Sequence, residues 1–337
     1  MTVQSRPAGS NDLDEQGGIR QRHPREHTES PESRSWTTEL GNGKKMGKEA
    51  LAGVIAAIVT PVGADGRPDH ERFTYHAKWL LDNGCDALNV LGTTGEATSF
   101  SAEARRELML HAAKTLPTER LMVGTGCPDL QTTASLTAHA AKCGFAAALV
   151  LPPFYYKGVS DAGLFSYFSE LVAATQDTMI PIYLYNFPAM TGLVFSPDVA
   201  RELHDTFPHR IMGAKDSSGD LDYARKLASI DGFAVFPSDE STLAEAKASG
   251  FVGCISATVN LSAPIAAQLL KQPEDSGLQQ QVKLLRAAIS ALPLIPAVKC
   301  MVGRLHSDTL FEGLRSPLMP LSKEEQERLP DFPRDRA

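Results

Sequence analysis

The sequence predicts an α/β fold, a closed (β/α)8 TIM barrel with a C-terminal helical extension, on three observations. Eight short apolar runs recur from Leu51 onward. Between them lie longer segments whose apolar residues follow helical spacing. No glycine-rich dinucleotide fingerprint follows the first run, although an open doubly wound sheet would want one. Short strands alternating with helical crossovers imply parallel pairing, and eight such units match the closed barrel.

The apolar runs predict strands at 54–60, 87–91, 121–124, 146–151, 180–185, 211–215, 234–237 and 252–256. Phe73, Ala77, Leu80 and Leu81 fall on one helical face, as do Leu136, Ala140 and Cys143. Ser or Asp opens many of these segments, and Gly84, Gly144 or Gly250 closes them. Beyond the eighth strand, helical patterns at 263–271 and 278–302 cap the barrel, the second kinked by Pro293 and Pro296. The first 45 residues mix Pro, Ser, Gly, Glu and Arg without apolar periodicity, so they bury too little surface to offset the entropy of ordering. The expected organisation is a disordered tail at 1–45, a barrel at 46–262 and a C-terminal helical region at 263–337.

A chain of 337 residues that is 42% hydrophobic supports one large core or two modest ones. Its net charge of -7 argues against a nucleic-acid or anionic-membrane surface, which needs a basic field, and favours small molecules as partners. No apolar stretch is long enough to span a membrane. The five scattered cysteines lack zinc-ligand spacing and fit a reducing compartment, hence a cytoplasmic protein.

Barrel chemistry sits at the C-terminal ends of the strands. The residues there are Thr60-Pro61, Gly92-Thr93-Thr94-Gly95-Glu96, Pro152 to Tyr156, Tyr185-Asn186, Lys215 to Ser218, Ser238-Asp239-Glu240 and Ser256. In the pentapeptide, two glycines permit a tight turn that exposes backbone N–H groups, and two hydroxyls add donors around a small carboxylate. Taken alone, it is equally an ordinary strand-to-helix turn. Strict alternation puts Ile211, Gly213 and Lys215 on one strand face. A lysine amine held in an apolar barrel mouth is a candidate nucleophile, which singles out Lys215. Lys157, in a polar loop, and Lys299, in a helical segment, are weaker candidates. Tyr185 ends the preceding strand and offers a phenol for proton transfer. No His-x-x-x-His lies on a helix, and none of the nine histidines ends a predicted strand, which argues against a zinc-dependent aldolase. The absence of a Gly-x-Ser-x-Gly elbow argues against a serine hydrolase.

Five segments in order resemble the dihydrodipicolinate synthase and N-acetylneuraminate lyase family of Schiff-base class I aldolases. They are Gly92 to Glu96, Pro153-Phe154-Tyr155-Tyr156, Tyr185 to Gly192, Lys215 to Asp220, and Gly253-Cys254-Ile255-Ser256. The resemblance implies that Lys215 condenses with the ketone of pyruvate or of a 2-keto acid that releases it, while Tyr185 donates and accepts the proton. It implies that Thr93 links Tyr185 to Tyr155 of a neighbouring subunit, with Tyr156 the other candidate for that relay. It also implies that Thr94 and the backbone near Ile255 hold the substrate carboxylate and imine region. It implies a homotetramer, a dimer of dimers, and no metal or other cofactor. Met190 stands where the synthases carry an arginine for the aldehyde's carboxylate, and a methionine cannot form that ion pair. The expected activity is therefore a lyase or aldolase joining or separating pyruvate and a neutral aldehyde, with a substrate of the 2-keto-3-deoxy sugar acid or N-acetylneuraminate type. Ser217, Ser238, Asp239 and Glu240 are then placed to meet the aldehyde's hydroxyls. Open beside it are dihydrodipicolinate synthase activity, a dehydratase or deaminase using the same imine, and a non-catalytic keto-acid-binding role.

Overall fold

The structure is a computed structural model that describes residues 51–331, so the expected tail at 1–45 lies outside the described residues. The strands are β1 (Gly53–Ala57), β2 (Ala87–Val90), β3 (Leu121–Gly124), β4 (Ala147–Val150), β5 (Ile182–Asn186), β6 (Ile211–Asp216), β7 (Ala234–Pro237) and β8 (Gly253–Ser256). The helices between them are α1 (His70–Asp82), α2 (Ala102–Thr115), α3 (Leu130–Lys142), α4 (Asp161–Ala174), α5 (Pro188–Thr191), α6 (Pro197–Thr206), α7 (Leu221–Ala228) and α8 (Ala246–Ser249). After β8 come α9 (Val259–Lys271), α10 (Ser276–Ser290), α11 (Leu294–His306) and α12 (Lys323–Glu327). Side chains of Asp69, Ser101, Asp129, Ser160, Ser196 and Asp220 accept backbone N–H bonds at the starts of α1, α2, α3, α4, α6 and α7. These caps satisfy donors that a helix start otherwise leaves free.

All strand pairs are parallel, in the order β7-β6-β5-β4-β3-β2-β1-β8. The Val252 N–H donates to the Val235 carbonyl at 3.1 Å, bringing β8 against β7 so that the sheet curls into the expected barrel. Side-chain alternation splits the core into two. Val54, Ala56 and Ile58 pack outward against the helices, whereas Ile55 and Ala57 pack with Met122, Leu149, Tyr183 and Ile255 inside the barrel.

Strand β6 departs from the alternation expected of it. Ile182 pairs with Ile211 but Tyr183 pairs with Gly213, so β6 carries one extra residue, Met212. Ile211 therefore packs outward among the helices, and Met212 packs against the interior. Lys215 pairs with the inward-facing Tyr185 and shares its side. The bulged strand also runs close to β7: a Cβ on Gly213 would lie 2.0 Å from the Ala234 carbonyl oxygen, so no other residue fits there.

The C-terminal pattern at 278–302 is broken rather than kinked. Helices α10 and α11 turn by 116° relative to each other, with Pro293 as the residue that precedes α11. Pro296 sits in the first turn of α11, where a missing N–H costs little. Val59, Leu261, Ile289, Met301 and Phe311 form a third core that fastens these helices to the end of β1. Among the described residues, no single helix is long and apolar enough to cross a membrane.

The junction between α1 and α11 holds a histidine pair, His76 fully buried and His306 half-buried. His76 Nδ1 lies 2.9 Å from His306 Nε2, and His76 Nε2 lies 3.0 Å from Asn260 Oδ1. Burial lowers His306 to about 4, against an opposing pull from Asp308. Burial, reinforced by His306, lowers His76 to about 3. Both values lie below the ordinary 6.5, so between pH 6.5 and about 4 the unfolded chain binds protons that the folded one refuses. Stability contributed here is complete above pH 6.5 and is lost as pH falls through that window. The expected result is a melting temperature that drops between pH 7 and pH 4, with the drop reduced in His306→Gln. An equal drop in the variant would place the acid sensitivity elsewhere.

Candidate active site

The loop from Gly92 to Glu96 leaves β2 as a tight turn, with the Glu96 N–H donating to the Thr93 carbonyl at 3.0 Å. It is bounded by two non-glycine residues in the left-handed region, Leu91 at φ 52° and Glu96 at φ 54°. Such backbone persists only when its surroundings over-determine it. For Glu96 the determinants are visible. Its carboxylate forms an ion pair with Lys299 of α11, both side chains being fully buried, and its Oε2 accepts the Arg315 N–H at 2.7 Å. Lys299 also donates to the Gly313 carbonyl at 2.5 Å. Burial pushes the Lys299 ammonium below its usual range, and Glu96 opposes that shift.

Thr93, Tyr185 and Lys215 come together at the barrel mouth. Thr93 Oγ1 lies 3.3 Å from the Tyr185 hydroxyl. Lys215 Nζ lies 4.4 Å from the centroid of the Tyr185 ring, and Phe187 stacks on that ring with centroids 5.6 Å apart. Lys215 is 4% exposed, and among the described residues no carboxylate forms an ion pair with it. One residue further along each strand, Asn186 Nδ2 donates to Asp216 Oδ1 at 2.7 Å, and Ser218 Oγ donates to Asp216 Oδ2 at 2.8 Å. Burial raises the Asp216 carboxyl, and these hydrogen bonds oppose the rise. The Asn186–Asp216 bond buckles β5 to β6 directly beyond the Tyr185–Lys215 pair.

Of the other residues singled out in the sequence, Thr94 and Ile255 are buried. The Ser217 N–H donates to Asn186 O and the Ser238 N–H to Asp216 O, each at 2.8 Å, which knits β5, β6 and β7 at the mouth. Asp239 accepts the Ser241 N–H at 2.8 Å and pairs with Arg286 Nε at 2.9 Å. Glu240 does not stand as an exposed strand-end residue. It is fully buried and accepts from Ser256, Thr258, Ser262 and Arg286, which ties β8, α9 and α10 together. Met190 lies at the rim, 61% exposed, and Tyr155 and Tyr156 are more exposed still, at 74% and 71%. Within this chain neither tyrosine hydrogen-bonds Thr93 or Tyr185. Among the described residues, no group of three or more His, Cys, Asp or Glu side chains is arranged to hold a metal ion.

Sequence reasoning missed the supporting residues. Lys299 had one visible signal: it is a lone charge in the apolar run Ala297-Val298-Lys299-Cys300-Met301-Val302, and such a lysine calls for a buried carboxylate. Glu240 had none, because its donors are scattered over 46 residues of sequence.

Fold and site geometry define an enzyme of the lysine Schiff-base aldolase class on a (β/α)8 barrel. The chain belongs to the dihydrodipicolinate synthetase family, whose model matches residues 50–332. It is 31% identical over 282 residues to a 4-hydroxy-tetrahydrodipicolinate synthase of Novosphingobium aromaticivorans, covering 81% of this chain and 93% of that protein. The crystal structure of dihydrodipicolinate synthase from Agrobacterium tumefaciens superposes with a TM-score of 0.77 at 30% identity, covering 82% of this chain and 96% of the other. YagE from E. coli, a member of the same family solved in complex with pyruvate, superposes with a TM-score of 0.74 at 25% identity, covering 82% and 96%.

Removing Lys299 leaves Glu96 charged and buried without its partner, a situation that costs about 3–5 kcal/mol. Lys299→Met is expected to lower the melting temperature accordingly and to weaken keto-acid binding. Adding Glu96→Gln should restore part of the stability. A single variant that melts like the parent chain would contradict the account of the loop.

Proposed function

We propose that the chain is a pyruvate lyase or aldolase whose covalent centre is Lys215. The free amine adds to the ketone of a 4-hydroxy-2-keto acid, and loss of water gives a protonated imine. A base removes the proton of the C4 hydroxyl, the C3–C4 bond breaks, and its electron pair enters the iminium to leave an enamine and an aldehyde. Protonation at C3 and addition of water then release pyruvate and regenerate the amine. In this reading Tyr185 carries the proton and Thr93 orients its hydroxyl. Thr94, the neighbouring amides and the backbone near Ile255 hold the carboxylate and imine region. Tyr155, or Tyr156 beside it, reaches the Thr93–Tyr185 pair of a neighbouring subunit in a homotetramer, and the exposure of both supports an intersubunit role. No metal enters the scheme.

The observation that carries this reading is the buried Lys215 amine against the Tyr185 ring, with the Tyr185 hydroxyl beside Thr93. The second substrate is read as a neutral aldehyde from a 2-keto-3-deoxy sugar acid or an N-acetylneuraminate type compound, because Met190 offers no charge at the rim. Ser217 and Ser238 are the hydroxyls nearest that role, whereas Asp239 is already engaged by Arg286. The synthase reaction is the second reading, favoured by the name of the 31% identical relative. A cytoplasmic location is supported by all five cysteines being free thiols.

Incubation with pyruvate and borohydride is expected to add mass to Lys215, insensitive to chelator, and Lys215→Arg should abolish it. Absence of any adduct with a panel of 2-keto acids would sink the imine mechanism. Tyr185→Phe should lower kcat by about 10²–10⁴-fold. For the aldehyde, pyruvate release from 2-keto-3-deoxy acids is measured beside consumption of aspartate semialdehyde. Met190→Arg should shift preference away from neutral aldehydes, and an unchanged ratio would show that this position does not choose the substrate.

A further inference from the structure

Asn89 is the next-to-last residue of β2. It pairs in register with Ala57, which packs inside the barrel, so its side chain faces inward too. The corresponding next-to-last residues of the other even-numbered strands are Leu149 in β4, Lys215 in β6 and Ile255 in β8. Alternate strands of such a barrel contribute four side chains to one interior layer. Asn89, Leu149, Lys215 and Ile255 therefore form a layer in which the two polar members stand on opposite walls. They are 0%, 1%, 4% and 0% exposed.

Neither Oδ1 nor Nδ2 of Asn89 has a hydrogen-bond partner. Native folds seldom leave both ends of a buried amide unpaired, and such a group needs an occupant of its own. The amide also lies against the start of the loop: a Cβ on Gly92 would sit 2.5 Å from Asn89 Nδ2. The Thr60 hydroxyl, equally buried and unpaired, lies toward the other end, 3.1 Å from a Cβ built on Gly95. Two unpaired polar groups thus underlie the two glycines of the pentapeptide.

We propose that Asn89 is a binding residue for the covalent adduct on Lys215, an inference that rests on the imine reading above. A 2-iminio carboxylate presents an acceptor, the carboxylate, beside a donor, the iminium N–H. An asparagine amide presents the matching donor and acceptor a similar distance apart. Nδ2, on the loop side, donates to the carboxylate, and Oδ1 accepts from the iminium. Thr60 supplies a further hydroxyl beneath the loop. A solitary water held by the amide is the competing occupant.

The test is borohydride trapping over a series of pyruvate concentrations with the full chain, Asn89→Leu and Asn89→Ala. The half-saturating pyruvate concentration should rise by about tenfold or more in both variants, the expected effect of losing a hydrogen bond to a charged group. The rise in melting temperature that pyruvate causes should shrink in parallel. Without pyruvate, Asn89→Leu should melt no lower than the parent chain, since it removes an unpaired polar group. Unchanged half-saturation in folded variants overturns the proposal, leaving the imine reading intact. So does a structure of the reduced parent adduct in which Asn89 Nδ2 lies beyond about 3.5 Å from the carboxylate with water between them. A parent chain that is never trapped takes down the imine reading itself, and this inference with it.

Discussion

The direction in which Lys215 faces depends on one extra residue in β6. Because side chains alternate along a strand, a register one residue shorter would turn Lys215 outward among the helices and bring Ala214 into the mouth. Met212 supplies that residue at the bottom of the strand, where Ile211 still serves the helix-facing core. The strand can then meet two demands that a regular ladder would set against each other. The Gly213 contact with Ala234 fixes where the slip is absorbed, and the Asn186–Asp216 bond fixes the strand again beyond the Tyr185–Lys215 pair.

The second constraint comes from outside the barrel. A loop with left-handed Leu91 and Glu96 at its ends is costly to hold, and the energy that holds it is supplied largely by α11 and the segment after it. Glu240 repeats the arrangement after β7, where Arg286 of α10 and three hydroxyls satisfy a buried carboxylate. Both are buried charges whose worth lies in geometry, because a buried ion pair adds little net stability but penalises any rearrangement that separates it.

Much of the fold was legible because burial and strand period coincide. The runs at 121–124 and 234–237 match β3 and β7 residue for residue. The first run, read as 54–60, overshoots β1, which ends at Ala57. Its apolar character continues because Val59 packs against the C-terminal helices, a reason for hydrophobicity unrelated to strand pairing. The break at Pro293 and the slip at Met212 were not legible, since a proline can kink or end a helix and an inserted residue leaves no mark on composition. At the site, Thr93, Tyr185 and Lys215 were readable as strand-end residues with reactive side chains. Asn186–Asp216, Glu96–Lys299 and Asn89 were not, because their roles are set by partners, or by a lack of partners, that only the folded chain reveals.

The Glu96–Lys299 pair joins positions separated by 203 residues of sequence. During synthesis the eight strands, which end at Ser256, are made before Lys299, so a nascent barrel carries Tyr185 and Lys215 while the 92–96 loop is still without its anchor. The geometry of the 92–96 loop thus depends on a segment made after the barrel strands that present it, and it is completed only when that segment docks.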